Sequence, residues 1–142
     1  MSYDLKISNG DISLKNDGTV QIVDKNSKLR QDILKILLTD IGENKFHKFY
    51  GSAAGKLEIG SILDQNFFKN NLKSSVSTAI NNLIALQRNQ LRYQYVSPAE
   101  TIVSISSVDV YRDNADPRMW SIFVSVLTLE QEEISQTITI RI

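Results

Sequence analysis

The segment Leu37-Leu38-Thr39-Asp40-Ile41-Gly42-Glu43, continuing to Phe49-Tyr50-Gly51-Ser52, decides how this chain is read. Apolar residues at helical spacing lead into it from Leu29 through Ile33, Ile36 and Leu37, and the pattern stops at Gly42. Gly42 stands where a helix C-cap glycine belongs, because glycine enters the left-handed region without a Cβ clash. The loop beyond is expected to be tied to the body by Phe46, Phe49 and Tyr50. Gly51-Ser52 reads as a turn whose serine N-caps a further short helix. A purely structural loop accounts for all of these residues.

Working outward toward the N-terminus, Asp24 to Ser27 is polar and offers N-caps, so the helix is expected over about Lys28 to Asp40. Before it, Leu5 and Ile7, Ile12 and Leu14, and Val20 and Ile22 alternate with polar residues. Asn9-Gly10 and Asn16-Asp17-Gly18 fall between these pairs and are turn signals. The simplest reading is a three-stranded meander, too short and charge-rich to stand without a partner surface.

Toward the C-terminus, Gly55 and Gly60 bracket Lys56-Leu57-Glu58-Ile59, which allows one helical turn. Asp64 is a candidate N-cap for a long helix over about Gln65 to Arg92, with Leu72, Val76, Ala79, Leu83 and Leu86 as its stripe. Such a helix would be ~40 Å long, and its far end is expected to project or to pack on a partner. Pro98 closes the helical region. Val103 and Ile105 differ in phase from Val108 and Val110, which places a β-bulge at Ser106-Ser107. Trp120, Ile122, Val124 and Val126 share one face of the next strand. A last strand covers Ser135 to Ile142. The fold class is therefore α+β: an N-terminal β-meander, two main helices, one of them long, and a C-terminal three-stranded antiparallel sheet. Residues 1–142 are read as a single domain.

The chain has 142 residues, 42% hydrophobic and 23% charged, ordinary values for a globular protein able to bury a core. Lys plus Arg and Asp plus Glu both number 16, so net charge is zero and a general nucleic-acid binder is disfavoured. Near-zero charge fits residence inside an assembly. Cysteine is absent, which excludes disulfides and thiolate chemistry. No apolar run reaches membrane-spanning length and no signal-peptide pattern opens the chain, so synthesis in the cytoplasm is expected.

His47 is the only histidine, which rules out a histidine cluster for a metal within one chain; it reads as a loop residue. Phosphate-loop, dinucleotide and serine-hydrolase spacings do not occur, and no cofactor is expected. Asp40, Glu43 and Glu100 are available for a lysozyme-like carboxylate pair, but such chemistry needs a cleft holding one carboxyl with a raised pKa. A solvated or loop-fixing role for Asp40 and Glu43 is the simpler reading. Basic residues do not cluster among Tyr93, Tyr95, Tyr111 and Trp120 as a single-strand binder would need, and these aromatics are expected to pack the helix end against the sheet.

Leu38-Thr39, Gly42-Glu43 and Tyr50-Gly51-Ser52, following the Gln31-Asp32 helix, resemble the signature of the baseplate-wedge and sheath-initiator family of contractile phage tails. That family has relatives in type VI secretion and R-type pyocins. Tyr3-Asp4-Leu5, Asn9-Gly10-Asp11 and Asp17-Gly18 resemble its phage branch. The resemblance implies a non-enzymatic baseplate subunit of the virion tail, present in multiple copies in a symmetric assembly. It also implies contacts with the tail sheath and with other wedge proteins, and none with nucleic acid or membrane. Glu100 aligns with the glutamate of the family's Glu-Pro-Arg-like motif, but Thr101 and Ile102 replace its proline and arginine, so a bidentate arginine contact is lost. Asn44 replaces a frequent arginine after Gly-Glu. Implied partner contacts are Glu43 and Glu100, with Gln136, Ile138, Ile140 and Ile142 on a last strand carrying only Arg141 as edge protection. Because that strand ends the chain, no later segment is expected to cover it. Two other readings are a host-encoded interaction module and the cell-wall hydrolase.

Overall fold

The computed structural model describes residues 2–54 and 65–141. The turn expected at Lys56–Ile59, the Asp64 cap and Ile142 lie outside the described residues.

Four short strands open the chain: β1 (Tyr3–Leu5), β2 (Ile7–Ser8), β3 (Asp11–Ile12) and β4 (Ile22–Asp24). A simple meander would leave its first and third strands apart. Here β2 pairs with β3 across the Asn9-Gly10 turn, β1 pairs with β4, and Leu14 bridges Val20. The first segment thus bonds to both later ones, because Lys6 N–H donates to Gln21 O while Lys6 O accepts from Ser13 N–H.

Helix α1 (Lys25–Leu38) buries Leu29, Ile33, Ile36 and Leu37. It begins and ends earlier than the apolar spacing suggested. Its C-cap is Thr39, extended at φ −86°, with N–H and Oγ1 both bonded to Lys35 O. Gly42 is therefore not the cap.

Helix α2 (Gln65–Gln90) buries Phe68, Leu72, Val76, Ala79, Ile80, Leu83, Ile84 and Gln87. It ends two residues before the expected Arg92. Its far end does not project: the chain turns back beneath it, burying Val96, Ala99 and Glu100.

Strands β5 (Ile102–Arg112), β6 (Met119–Thr128) and β7 (Glu133–Arg141) form an antiparallel sheet in that order. The expected irregularity lies between Ile105 and Ser107, and a second lies between Ile102 and Ser104. That second shift turns Val103 outward. Trp120, Ile122, Val124 and Val126 all face the core. One continuous buried cluster joins α1, α2 and the sheet, and Phe68 stacks on Trp120 at 4.7 Å. Tyr93, Tyr95 and Tyr111 do not pack the helix end as expected; all three are exposed, and Tyr111 instead lies under Lys69.

Candidate functional site

The 39–52 loop closes on itself. Ser52 N–H donates to Thr39 O at 2.8 Å, Ile41 N–H donates to Ser52 O at 3.1 Å, and Ser52 Oγ–H donates to Leu37 O at 2.8 Å. Ser52 Oγ also accepts from Ala54 N–H at 3.4 Å; the short helix expected after Ser52 lies outside the described residues. A Cβ on Gly51 would lie 2.6 Å from Thr39 O, so only glycine lets the returning strand pass this closely. Gly42, at φ +92°, sits in the Asp40–Glu43 turn with open space where a Cβ would be. The anchors differ from expectation. Phe46 is 91% exposed and Phe49 is exposed, and of the three aromatics only Tyr50 packs on the core. Hydrogen bonds to α2 hold the loop instead, Asn82 Nδ2–H to Phe49 O and Ala53 N–H to Ser75 Oγ. Asn44 Oδ1 accepts from Phe46 N–H and His47 N–H, giving this residue a local structural role.

Two buried glutamines do parallel work; the sequence marks Gln31 only through the family resemblance and does not mark Gln87 at all. Gln31 Nε2 donates to Leu5 O and its Oε1 accepts from Ile7 N–H. Gln87 Nε2 donates to Glu100 O and its Oε1 accepts from Ile102 N–H. Each amide serves an i and i+2 pair of backbone groups, as a neighbouring strand would. Gln31 docks the N-terminal strands on α1, and Gln87 docks the start of β5 on α2. A signal was available for Gln87, which continues the Leu83-Ile84 face as a polar residue where an apolar one belongs.

Beside Gln31, an ion cluster joins Asp4, Asp32, Lys28 and Lys35, with Lys28–Asp32 at 2.8 Å and Lys35–Asp32 at 3.1 Å. Burial pushes the Asp4 carboxyl up, but hydrogen bonding and attraction from Lys35, aided by Gln31, hold it below its ordinary range. Burial likewise opposes the Lys35 charge, yet Asp4 and Asp32 leave its pKa raised. Burial raises the nearby Tyr50 phenol despite Lys35.

Glu100 cannot act as a surface contact, because it is fully buried. Its Oε1 accepts from Ser97 N–H at 3.3 Å. Glu43 lies exposed in the Gly42 turn. The structure does not bring these two residues together with β7 in one surface site.

The last strand begins two residues earlier than Ser135. It pairs with β6 through all its residues without a register shift and has no strand on its other side among the described residues. Thr128 N–H donates to Glu132 O, which fixes the alternation of this ladder. Gln136, Ile138 and Ile140 turn their backbone groups toward β6. Ser135, Thr137 and Thr139 turn theirs to the open edge. The side-chain assignment therefore needs correction: Ile138 is buried in the core, Ile140 is packed against it, and the backbone groups facing the outer edge are those of the odd-numbered residues, of which Thr137 O accepts from Gln136 Nε2–H at 3.2 Å. The sheet's other edge, β5, is interrupted by both bulges, a common way of protecting an edge.

Among the described residues no cluster of His, Asp and Glu is placed to hold a metal ion, and no helix is long and apolar enough to cross a membrane.

No family model matches the chain, and no curated protein matches it. A crystal structure from Geobacter sulfurreducens, of a protein described provisionally as a tail lysozyme, shares the fold. The TM-score is 0.59 at 13% identity, over 81% of this chain and 88% of that one. At this identity the likeness is one of fold.

Proposed function

We propose that this chain is a structural subunit of a contractile phage-type tail, a baseplate wedge component that joins the wedge core to the sheath and starts sheath assembly by strand pairing. The observation that carries the reading is the regular, unbulged outer edge of β7, which has no further strand beside it among the described residues; the peptides of Ser135, Thr137 and Thr139 face outward, and Thr137 O is held by the adjacent Gln136 Nε2–H at 3.2 Å. The shared fold with a protein whose description places it in a tail supports the setting. A sheath subunit adding a strand here would meet at the baseplate the contact that sheath subunits repeat among themselves. The first ring would then stay anchored while the rest contracts. The test is assembly of extended sheath on baseplates carrying Thr139→Pro, which removes an outward N–H. Baseplates that form but nucleate no sheath are the expected result; normal sheath would overturn the reading.

The neighbour's description also raises cell-wall hydrolysis. We infer that this chain is not an enzyme. Glu100 is sealed in the core, and Asp40 and Glu43 share one turn on the loop surface. Peptidoglycan release by the purified protein that disappears in Glu43→Gln would refute this.

A further inference from the structure

A groove of about 620 Å³ opens beside β7, between the N-terminal strands and α1. Lys6, Lys15 and Arg30 line it, contributed by the β1–β2 junction, the β3–β4 connection and α1. None of the three makes an ion pair among the described residues. Asp24 is the only acid in the lining. In a chain of zero net charge, this concentrates uncompensated positive charge in one concave place.

Gln136 also lines the groove, with its Nε2–H donating to Thr137 O at 3.2 Å. Cross-strand partners share a sheet face, and Gln136 stands opposite Val124, which is fully buried. Along β7 the core-facing residues are Ile134, Gln136, Ile138 and Ile140, so Gln136 is the one polar member, and it lies where the core face opens into the groove. A strand added outside β7 would place the side chain opposite Gln136 on that same face, about 5 Å away. That side chain would enter a space ringed by three cations.

We propose that this groove receives carboxylate side chains of the extended partner segment that pairs with β7. The proposal rests on the strand-addition reading above and specifies the chemistry of the partner: an acidic residue opposite Gln136, in a segment otherwise able to extend. Polypeptide is favoured over nucleic acid because the lining contains no aromatic side chain for base stacking and interleaves its cations with Ile7, Ile22 and Leu34.

The test uses the isotope-labelled full chain and three end-blocked peptides that alternate threonine with glutamate, glutamine or lysine. Amide shifts at Ser135, Thr137 and Thr139 report strand addition. The glutamate peptide is expected to bind tightest and to weaken as salt is raised. It should lose about tenfold in affinity in the triple variant Lys6→Glu, Lys15→Glu, Arg30→Glu. Lys45→Glu with Lys48→Glu, on the exposed loop, should leave binding unchanged. Equal binding of all three peptides at β7 would overturn the groove assignment while leaving strand addition standing. Glutamate-peptide binding that shifts no β7 amide would overturn the coupling of groove and strand. An oligothymidylate that binds these cations more tightly than the glutamate peptide would assign the groove to nucleic acid and overturn the proposal.

Discussion

At the scale of single residues, the two loop glycines carry different constraints. Gly42 needs only a backbone with positive φ, so Gly42→Ala should cost on the order of 1 kcal/mol. Gly51 has positive φ and also presses against Thr39 and Asp40 backbone that no rotamer change can move aside. Gly51→Ala should therefore cost more, about 2 kcal/mol or above, as read from denaturant midpoints of the two variants. A reversed order would show that the loop relaxes freely. The buried glutamines make a second residue-scale case. Gln87→Leu keeps similar volume but leaves Glu100 O and Ile102 N–H unpaired in the core, so a loss of about 2 kcal/mol is expected in the same measurement. The positions of both glycines were legible in the sequence, because turn chemistry is local. The roles of Gln31 and Gln87 were not, because each depends on a backbone segment distant in the chain.

At the scale of elements, periodicity located α1, α2 and the three long strands, since each buries one face against a common core and must write that face into its sequence. It misplaced the end of α1, because Ile41 and Gly42 continue the apolar spacing after the backbone has already become extended at Thr39. It also missed the closed pairing of the N-terminal strands, whose apolar residues stay largely exposed and so carry little facing information. Those strands are held on α1 by Gln31 and by the Asp4–Lys35 pair, and this makes their docking pH-dependent. Asp4 has its carboxyl pKa lowered in the folded chain. Its contribution is thus present above the unfolded value of about 3.9 and is lost as pH falls through the lower folded value. Lys35 has the opposite sign: its raised pKa gives stability that is complete below about 10.5 and is lost as pH rises through the folded value. Unfolding followed between pH 2 and pH 5 should show a steeper decline for the natural chain than for Asp4→Asn. Equal slopes would mean the pair contributes nothing to docking.

At the scale of the whole molecule, the question is which boundary of the structure is left open to others. The two sheet edges answer differently. β5 is bulged twice and lies against α2, whereas β7 is regular and has no strand on its outer side among the described residues. The sequence revealed that β7 is an edge candidate, through its alternation and its scarcity of charge. It did not reveal which peptides face outward, because that parity is set by the Thr128–Glu132 bond in the β6–β7 turn. The parity has a sharp consequence. Ile138 directs its N–H into the ladder with β6 and its side chain into the core, so Ile138→Pro should remove a ladder bond and a buried group together, costing about 3 kcal/mol or more. Thr139, the next residue, directs its N–H outward and exposes its side chain, so Thr139→Pro should leave the thermal transition close to that of the natural chain. Adjacent prolines would then separate folding from partnering: the first weakens the fold itself, and the second abolishes strand addition alone. Equal destabilisation by the two substitutions would show that the β7 edge is already paired in solution, and that a partner must bind elsewhere.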